Sequence, residues 1–231
     1  MNSLFVISLP RSLSSLTYYI ARRALGLKAP SWTSDGEILN VDRFALYQGP
    51  THDTGRKFIV KAHDPPRFQS AMDFLDEATV PEGFAYKDVI HPFVVAQWLK
   101  TSEFRVLRIK RNLTDVVFSM LAHKWFYPRA AAEQHQDDAE AAVIEGIIRA
   151  DMALDDAPGE RIDFDDLVSD ERVLRNALLK LYPSVDVLNF QYLNEAFCAF
   201  RDQEVLQRRK LAEYQRLDEK VGRALDALER A

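Results

Sequence analysis

The amino-acid sequence predicts an α/β fold with a mainly parallel central sheet. Three apolar runs are typical of buried strands: Leu4–Ser8, a second run that ends at Lys61, and a third that continues to Ile109. Helical segments separate these runs, and strands that alternate with helices favour parallel pairing. With 231 residues, of which 47% are hydrophobic, the chain can bury the core of one domain that covers residues 1–231.

The turn after the first strand is a candidate phosphate site. It reads Leu9-Pro10-Arg11-Ser12-Leu13-Ser14-Ser15-Leu16 and leads into a helical stretch from Thr17 to Ala24. The first N–H groups of a helix lack intrahelical partners and the helix dipole favours negative charge there, so an arginine and three serines can bind a phosphate. The alternative is that the serines only cap the helix and the arginine is solvated. The Gly-x-x-x-x-Gly-Lys-Ser/Thr pattern of nucleoside triphosphatases is missing.

This turn resembles the 5'-phosphosulfate loop of the sulfotransferases, usually written Pro-Arg/Lys-Ser-Gly-Thr/Ser-Thr/Ser. In that family the loop holds the donor, 3'-phosphoadenosine 5'-phosphosulfate (PAPS). Five positions match the pattern: Pro10, Arg11, Ser12, Ser14 and Ser15. Leu13 stands where the pattern has Gly, which is used where φ is positive or a ligand presses on the backbone. Either Leu13 keeps a negative φ, or donor binding is altered.

The end of the second apolar run supplies candidate catalytic residues. It closes with Lys61-Ala62-His63 before two prolines and resembles the sulfotransferase strand that ends in Lys-Thr-His. Ligands of an open α/β sheet lie beyond the carboxyl ends of the strands, so Lys61 and His63 are expected to face the crevice of the first loop. Imidazole suits proton removal from an acceptor hydroxyl, and an ammonium suits charge on the sulfuryl oxygens. The alternative for His63 is a surface histidine at a strand end.

The third run leads into the most specific motif of the chain. The segment from Arg111 to Ser119 resembles the family's 3'-phosphate motif, Arg-Asn/Asp-Pro-x-Asp-x-x-x-Ser, with Leu113 in place of Pro. The match makes Arg111 and Ser119 phosphate ligands, since a guanidinium forms paired charge-assisted hydrogen bonds with phosphate. Asn112 is placed to cap the helix that follows. Taken singly, Arg111 fits a surface ion pair and Ser119 fits a small residue at a helix contact.

A fourth segment, Arg161–Asp170, is similar to the family's Arg-Tyr-Glu-Asp-Leu segment. On that match Phe164 takes the place of the aromatic ring beside the adenine. Asp165 and Asp166 favour a helix start over a metal site, because carboxylates offset the helix dipole and no further ligand is nearby. His91 and Pro92 are expected to be structural. The family's carboxy-terminal Arg-Lys-Gly motif is absent, which leaves four basic residues as substitutes: Arg201, Arg208, Arg209 and Lys210.

The resemblance covers residues 4–170 and implies a small, bacterial-type sulfotransferase that uses PAPS and no metal. It implies a three-layer α/β/α sandwich with a P-loop-like sulfotransferase fold. His63 would be the base, with Lys61 and Arg11 stabilising charge. The donor would lie on residues 11–15, Arg111, Ser119 and Phe164. The acceptor would be a hydroxyl, less readily an amine, of a small molecule. A nucleotide-binding or phosphoryl-transfer protein and a catalytically silent binding protein remain as alternatives.

Composition limits the partners and the compartment. A net charge of −5 argues against nucleic-acid binding, which rests on a basic surface. The single cysteine, Cys198, permits no internal disulfide and favours a reducing cytosol. The sequence holds no apolar run of about twenty residues and no signal peptide pattern, so a soluble, cytoplasmic protein without a membrane partner is expected.

Three regions allow two interpretations each. Trp32, Asp35 and Glu37 either line an acceptor pocket or have surface or packing roles. The aromatic cluster from His123 to Tyr127 either forms a wall of that pocket or packs in the core. The C-terminal helical segment, at about residues 203–230, carries an apolar stripe that either packs on its own domain or forms a homodimer. The stripe consists of Leu211, Tyr214, Leu217, Val221, Leu225 and Leu228.

Overall fold

A computed structural model shows the architecture. The structure describes residues 2–31, 36–39, 58, 65–77, 82–135, 137–170, 172–185 and 208–230. Several residues discussed above lie outside this description: Trp32, Asp35, Lys61, His63, Cys198 and Arg201. The roles expected for Lys61 and His63 therefore stay predictions.

Within the described residues, a parallel four-stranded sheet runs through the centre of the molecule. Its strands are β1 (Leu4–Ser8), β2 (Ala85–Asp88), β3 (Arg105–Lys110) and β4 (Glu160–Asp163), in the order β2-β1-β3-β4. The predicted α/β class with a parallel sheet is confirmed, as are the strands before the Arg11 and Arg111 loops.

Eight helices are described around the sheet. They are α1 (Ser14–Ala24), α2 (Pro65–Glu77), α3 (Pro92–Leu99), α4 (Leu113–Ala122), α5 (Ala139–Asp155), α6 (Phe164–Ser169), α7 (Arg172–Leu181) and α8 (Ala212–Glu229). Local signals explain two of the starts. The Asn112 side chain accepts a hydrogen bond from the Asp115 N–H and caps α4, as expected. Asp138 accepts from the N–H groups of Glu140 and Ala141 and caps α5.

The helices cover both faces of the sheet. On one face, Phe5, Ile7 and Val106 belong to a buried cluster shared with α2, α3, α4, α5 and α8. On the other face, Leu4 and Val6 belong to a second cluster shared with α1, α6 and α7. Successive strand residues point to opposite faces, so a strand that is apolar throughout is buried on both sides. The three-layer α/β/α arrangement is thereby confirmed.

The C-terminal helix α8 packs on its own chain. Tyr214, Leu217 and Val221 are buried, and Leu225 and Leu228 pack against the same cluster as the sheet face. Leu211 precedes the helix and is half exposed. The stripe therefore serves the intramolecular contact that the sequence left open against a dimer. No helix of the described ranges combines the length and apolar character that crossing a bilayer requires.

The strand order creates a crevice at the carboxyl edge of the sheet. From β1 the chain crosses to β2 on one side, then returns to β3 on the other. The loops that leave β1 and β3 therefore diverge at a topological switch point, where ligands of open α/β sheets bind. These loops contain Arg11 and Arg111.

Candidate anion-binding site

The loop after β1 has a backbone shape suited to an anion. Arg11 has a φ of 62° and Leu13 a φ of 58°, whereas Ser12 between them has a negative φ. Backbone that alternates in this way turns successive N–H groups into one concavity, which is a common anion-binding shape. Of the two alternatives that the sequence left open at Leu13, a negative φ is wrong, and altered donor binding stays a prediction. A left-handed conformation costs a residue with a side chain roughly 1–2 kcal/mol.

The serines of this loop do not cap α1. The Oγ of Ser12 donates to the carbonyl oxygen of Pro10 at 3.4 Å. Leu13 is the N-cap residue and offers no side-chain hydrogen bond, and the hydroxyls of Ser14 and Ser15 accept none from the helix start in the described structure. The capping interpretation is therefore wrong. Orphan N–H groups at the start of α1 remain at the crevice.

The Arg11 side chain extends toward the end of α4. Its Nε donates to the Oγ of Ser119 at 3.0 Å, and its Nη2 lies 3.4 Å from Nε2 of His123. Its guanidinium carbon lies 5.1 Å from the centre of the Trp125 ring. Partial burial lowers the pKa of Arg11, the charge of Arg208 lowers it further, and Tyr127 opposes both. The structure thus joins Arg11 to Ser119, a residue predicted from a separate motif.

Arg111 lies on the opposite side of the same loop. Its Nη1 donates to the carbonyl oxygen of Arg11. Its guanidinium carbon is 4.1 Å from the ring centre of Phe164, which is itself 5% exposed. Burial lowers the pKa of Arg111; nearby Asp115 opposes this, while Arg11 adds to it. Residues from three separately predicted motifs therefore meet at the crevice: Arg11, then Arg111 with Ser119, and Phe164.

The start of the C-terminal segment is tied to this site. The buried carboxylate of Asp115 accepts from Nη2 of Arg209 at 2.6 Å and from the hydroxyl of Tyr214 at 2.7 Å. Arg209 also reaches Asp165 at 3.2 Å, which makes Asp165 an ion-pair partner of this arginine. The hydrogen bond to Asp115 raises the pKa of Arg209. Of the basic residues that the sequence left open, Arg209 anchors the segment and Arg208 acts on Arg11 electrostatically.

The cluster from His123 to Tyr127 packs in the core in part, and two of its members contact Arg11; a role as a wall of the acceptor pocket stays a prediction. Tyr127 is buried, with its ring centre 5.4 Å from that of Phe58, and belongs to the core. His123 and Trp125 contact Arg11, and Trp125 also packs against the core. Sequence reasoning assigned neither of these two to the anion site. Their position directly after the Ser119 helix was the available signal, but the sequence did not say which face they would occupy.

Two further expectations concern residues near β2. Glu37 lies 2.5 Å from Nζ of Lys87, and both side chains are 2% exposed. The structure therefore gives Glu37 a packing role, in a buried ion pair with Lys87, and the pocket-lining alternative stays a prediction. His91 places Nδ1 3.0 Å from Asp88, whose other carboxylate oxygen accepts from the N–H groups of Ile90 and His91. This arrangement closes the turn into α3 and agrees with a structural His91.

The fold and the site define an α/β protein with a cationic crevice at the switch point of a parallel sheet. No protein-family model matches this chain, and no curated protein matches it. Among solved structures it is similar to one described as "Sulfotransferase Domain from the Curacin Biosynthetic Pathway". The identity is 13% and the TM-score 0.43, over 96% of this chain and 97% of that chain. A likeness at this level does not establish shared chemistry.

Proposed function

We propose that this protein is a sulfotransferase that moves a sulfuryl group from PAPS to a hydroxyl of a small-molecule acceptor. The observation that carries the proposal is the meeting of Arg11 and Arg111 around the loop after β1. Partial desolvation and the charge of Arg208 disfavour the charge on Arg11. Burial and the charge of Arg11 disfavour the charge on Arg111, which Asp115 offsets only in part. A bound polyanion would remove that cost, because a guanidinium and backbone N–H groups bind phosphate and sulfate oxygens strongly.

The two ends of the donor match the two sides of the crevice. The 5'-phosphosulfate would lie in the concavity of residues 11–15, at the start of α1. The 3'-phosphate would lie on Arg111 and Ser119. The hydroxyl of Ser119 accepts from Arg11, and the same hydroxyl retains a proton to donate to a phosphate oxygen. Arg11 and Arg111 would then share one ligand from opposite sides of the loop.

The proposed reaction is an in-line transfer. The acceptor oxygen forms a bond to sulfur as the bond from sulfur to the 5'-phosphate oxygen breaks, and adenosine 3',5'-bisphosphate leaves with the electron pair. His63 would take the acceptor proton. Lys61 and Arg11 would stabilise the charge that moves to the leaving phosphate. The roles of Lys61 and His63 are supported by their motif, and that of Arg11 also by its position in the crevice.

The donor half of the proposal can be tested by thermal shift. We expect adenosine 3',5'-bisphosphate to raise the melting temperature and ATP to raise it less, because only the bisphosphate has a 3'-phosphate for Arg111. Stabilisation by ATP alone would contradict the proposal and favour a nucleotide-binding or phosphoryl-transfer protein.

The transfer half needs an acceptor screen. Incubation with PAPS and a mixed library of hydroxyl and amine compounds, read by mass spectrometry, should reveal products that gain one SO₃ group. His63→Ala should abolish transfer and leave bisphosphate affinity within a few-fold, since the base does not bind the donor. Wild-type rates in that variant would remove His63 from the role of base. Bisphosphate binding with no transfer to any acceptor would indicate a silent binding protein.

A further inference from the structure

His123 lies at the anion site but belongs to none of the motifs described above. Its Nδ1 is 2.8 Å from the carbonyl oxygen of Ser119, and its Nε2 is 3.4 Å from Nη2 of Arg11. The ring centres of His123 and Trp125 are 5.7 Å apart. His123 is an exposed residue and forms the C-cap of α4. It is therefore open to solvent and to a ligand of Arg11.

The two ring nitrogens have opposite roles in this arrangement. A carbonyl oxygen can only accept, so Nδ1 must carry the proton that Ser119 receives. In the neutral ring Nε2 is then an acceptor, and it faces an N–H group of Arg11. A proton added at Nε2 would turn this acceptor into a donor next to a second cation.

An anion bound to Arg11 would make a proton at Nε2 of His123 favourable. It would accept from Arg11 and from a protonated Nε2, so that both cations gain a shared counter-charge. The C-terminal end of α4 contributes to the same result, because the negative end of a helix dipole favours a protonated imidazole. Imidazole is also the side chain whose charge ordinarily changes between pH 5 and 8.

We propose that His123 is a further anion ligand of this site and that it takes up a proton when the anion binds. The proposal rests on the proposed function, which supplies the anion as the donor or its bisphosphate product. With the ligand bound, His123 and Arg11 would together present two cations on the side of Ser119.

The surroundings of His123 contain little that could mask this effect. Among the described residues, Arg11 is the charged group within hydrogen-bonding distance of the ring, with Ser119 and Trp125 as its neutral neighbours. Arg208 and Tyr127 act electrostatically on Arg11 rather than on the ring. The proton uptake is therefore expected to follow the occupancy of the Arg11 side of the crevice.

The test measures the affinity for adenosine 3',5'-bisphosphate at pH 8 and at pH 6. His123→Gln keeps a polar side chain and cannot take up a proton, and wild-type protein is compared with it. The bisphosphate itself titrates in this range, so the result is the difference between the two proteins. From pH 8 to pH 6 we expect the affinity of the wild type to rise about fivefold more than that of the variant. This factor corresponds to the attraction between two exposed unit charges near 4 Å apart.

His135→Gln is the matched control. His135 is also exposed and also places Nδ1 on an acceptor, but its partner is Glu145 and no arginine contacts its ring in the described structure. This variant should keep the wild-type pH dependence. Calorimetry in two buffers of different ionisation enthalpy should show proton uptake on binding that His123→Gln reduces and His135→Gln does not.

Two outcomes would overturn the inference, and they are distinguishable. Identical pH dependence of binding in wild type and His123→Gln would remove His123 from the anion site and leave the proposed function intact. Wild-type protein that binds no bisphosphate at either pH would overturn the proposed function together with the inference. Circular dichroism of both histidine variants checks that folding is unchanged.

Discussion

Arg11 of the crevice and Arg149 of α5 differ in what surrounds their charges. Arg149 donates to Glu145 at 2.8 Å and to Glu133 at 2.9 Å, so two carboxylates neutralise it. Arg11 contacts a hydroxyl, an imidazole and an indole, and no carboxylate contacts it in the described part of the chain. The charge of Arg149 is neutralised within the fold, whereas the charge of Arg11 is left for a bound anion to neutralise.

The pKa shifts in the two regions show the same contrast. Although burial opposes it, the hydrogen bonds to Glu145 from the backbone of Glu133, from His135 and from Arg149 lower the pKa of that carboxyl to about 2. The charged form is thus strongly favoured there. In the crevice, desolvation lowers the pKa values of Arg11 and Arg111. Charged groups that are destabilised by their surroundings in the folded protein indicate a candidate binding site. Charged groups that are fully paired indicate a structural role.

The largest effect is expected from Arg111→Ala. Loss of the paired hydrogen bonds to a phosphate should lower the affinity for adenosine 3',5'-bisphosphate at least about 100-fold, since hydrogen bonds to charged groups contribute roughly 1.5–3 kcal/mol each. Isothermal titration calorimetry measures this directly. Arg149→Ala is the matched control and should change the affinity less than about twofold, because its guanidinium serves α5 and the loop before it. Equal losses in both variants would erase the distinction between the two regions.

Glu145→Gln tests the α5 region, where we expect a loss of stability and no loss of ligand binding. This carboxylate is 2% exposed and binds the N–H groups of Glu133 and Gln134 as well as Arg149. Replacing its charge should lower the free energy of unfolding by about 2–3 kcal/mol at pH 7. Denaturant titration measures this loss, and bisphosphate affinity should stay unchanged.

The same variant makes a signed pH prediction. The pKa of Glu145 is about 2 in the folded protein and roughly 4.3 in an unfolded chain. A depressed pKa contributes stability that is present above the unfolded value and is lost as the pH falls toward the folded value. The stability difference between wild type and Glu145→Gln should therefore shrink from about pH 4.5 downward. A difference that stays constant to pH 3 would contradict the assignment.

The fold could be predicted where a strand is apolar along its whole length, as in Leu4–Ser8. Strand β2 escaped prediction because it has only four residues and two of them are Lys87 and Asp88. Both are buried in the structure. Lys87 is neutralised by Glu37, fifty residues earlier in the sequence. The carboxylate of Asp88 accepts hydrogen bonds from backbone N–H groups. Partners that are distant in the sequence decide whether such charges can enter a core.

The site could be predicted where ligand residues directly follow strands, which holds for Arg11 and Arg111. The loop conformation could not. Local preference favours a negative φ at a leucine, whereas Leu13 has a φ of 58° in the folded chain. The role of Arg209 depends on Asp115, which is 94 residues away in sequence. Contacts of this kind are properties of the folded chain and have no local signal.

The smallest effect is expected at Leu13, where the crevice loop stores backbone strain. Leu13→Gly removes the left-handed penalty and adds entropy to the unfolded chain. It also removes the packing of the side chain against the cluster that the sheet shares with α1, α6 and α7. These terms offset one another, so the free energy of unfolding should change by less than about 1 kcal/mol, with bisphosphate affinity within threefold. Leu13→Val puts a β-branched residue at a φ of 58° and should destabilise the protein by about 1–2 kcal/mol.

The pair of variants tests the loop better than either variant alone, because both remove part of the leucine side chain and only valine retains the conformational penalty. Denaturant titration of both proteins gives the difference. If valine is tolerated as well as glycine, Leu13 does not hold a left-handed conformation in solution, and the concavity between Arg11 and α1 is not preformed. If glycine is tolerated and valine is not, the crevice keeps its anion-binding backbone conformation without a glycine. The backbone strain at Leu13 is then a cost of the crevice loop that the α5 region, with its complete ion pairs, does not have.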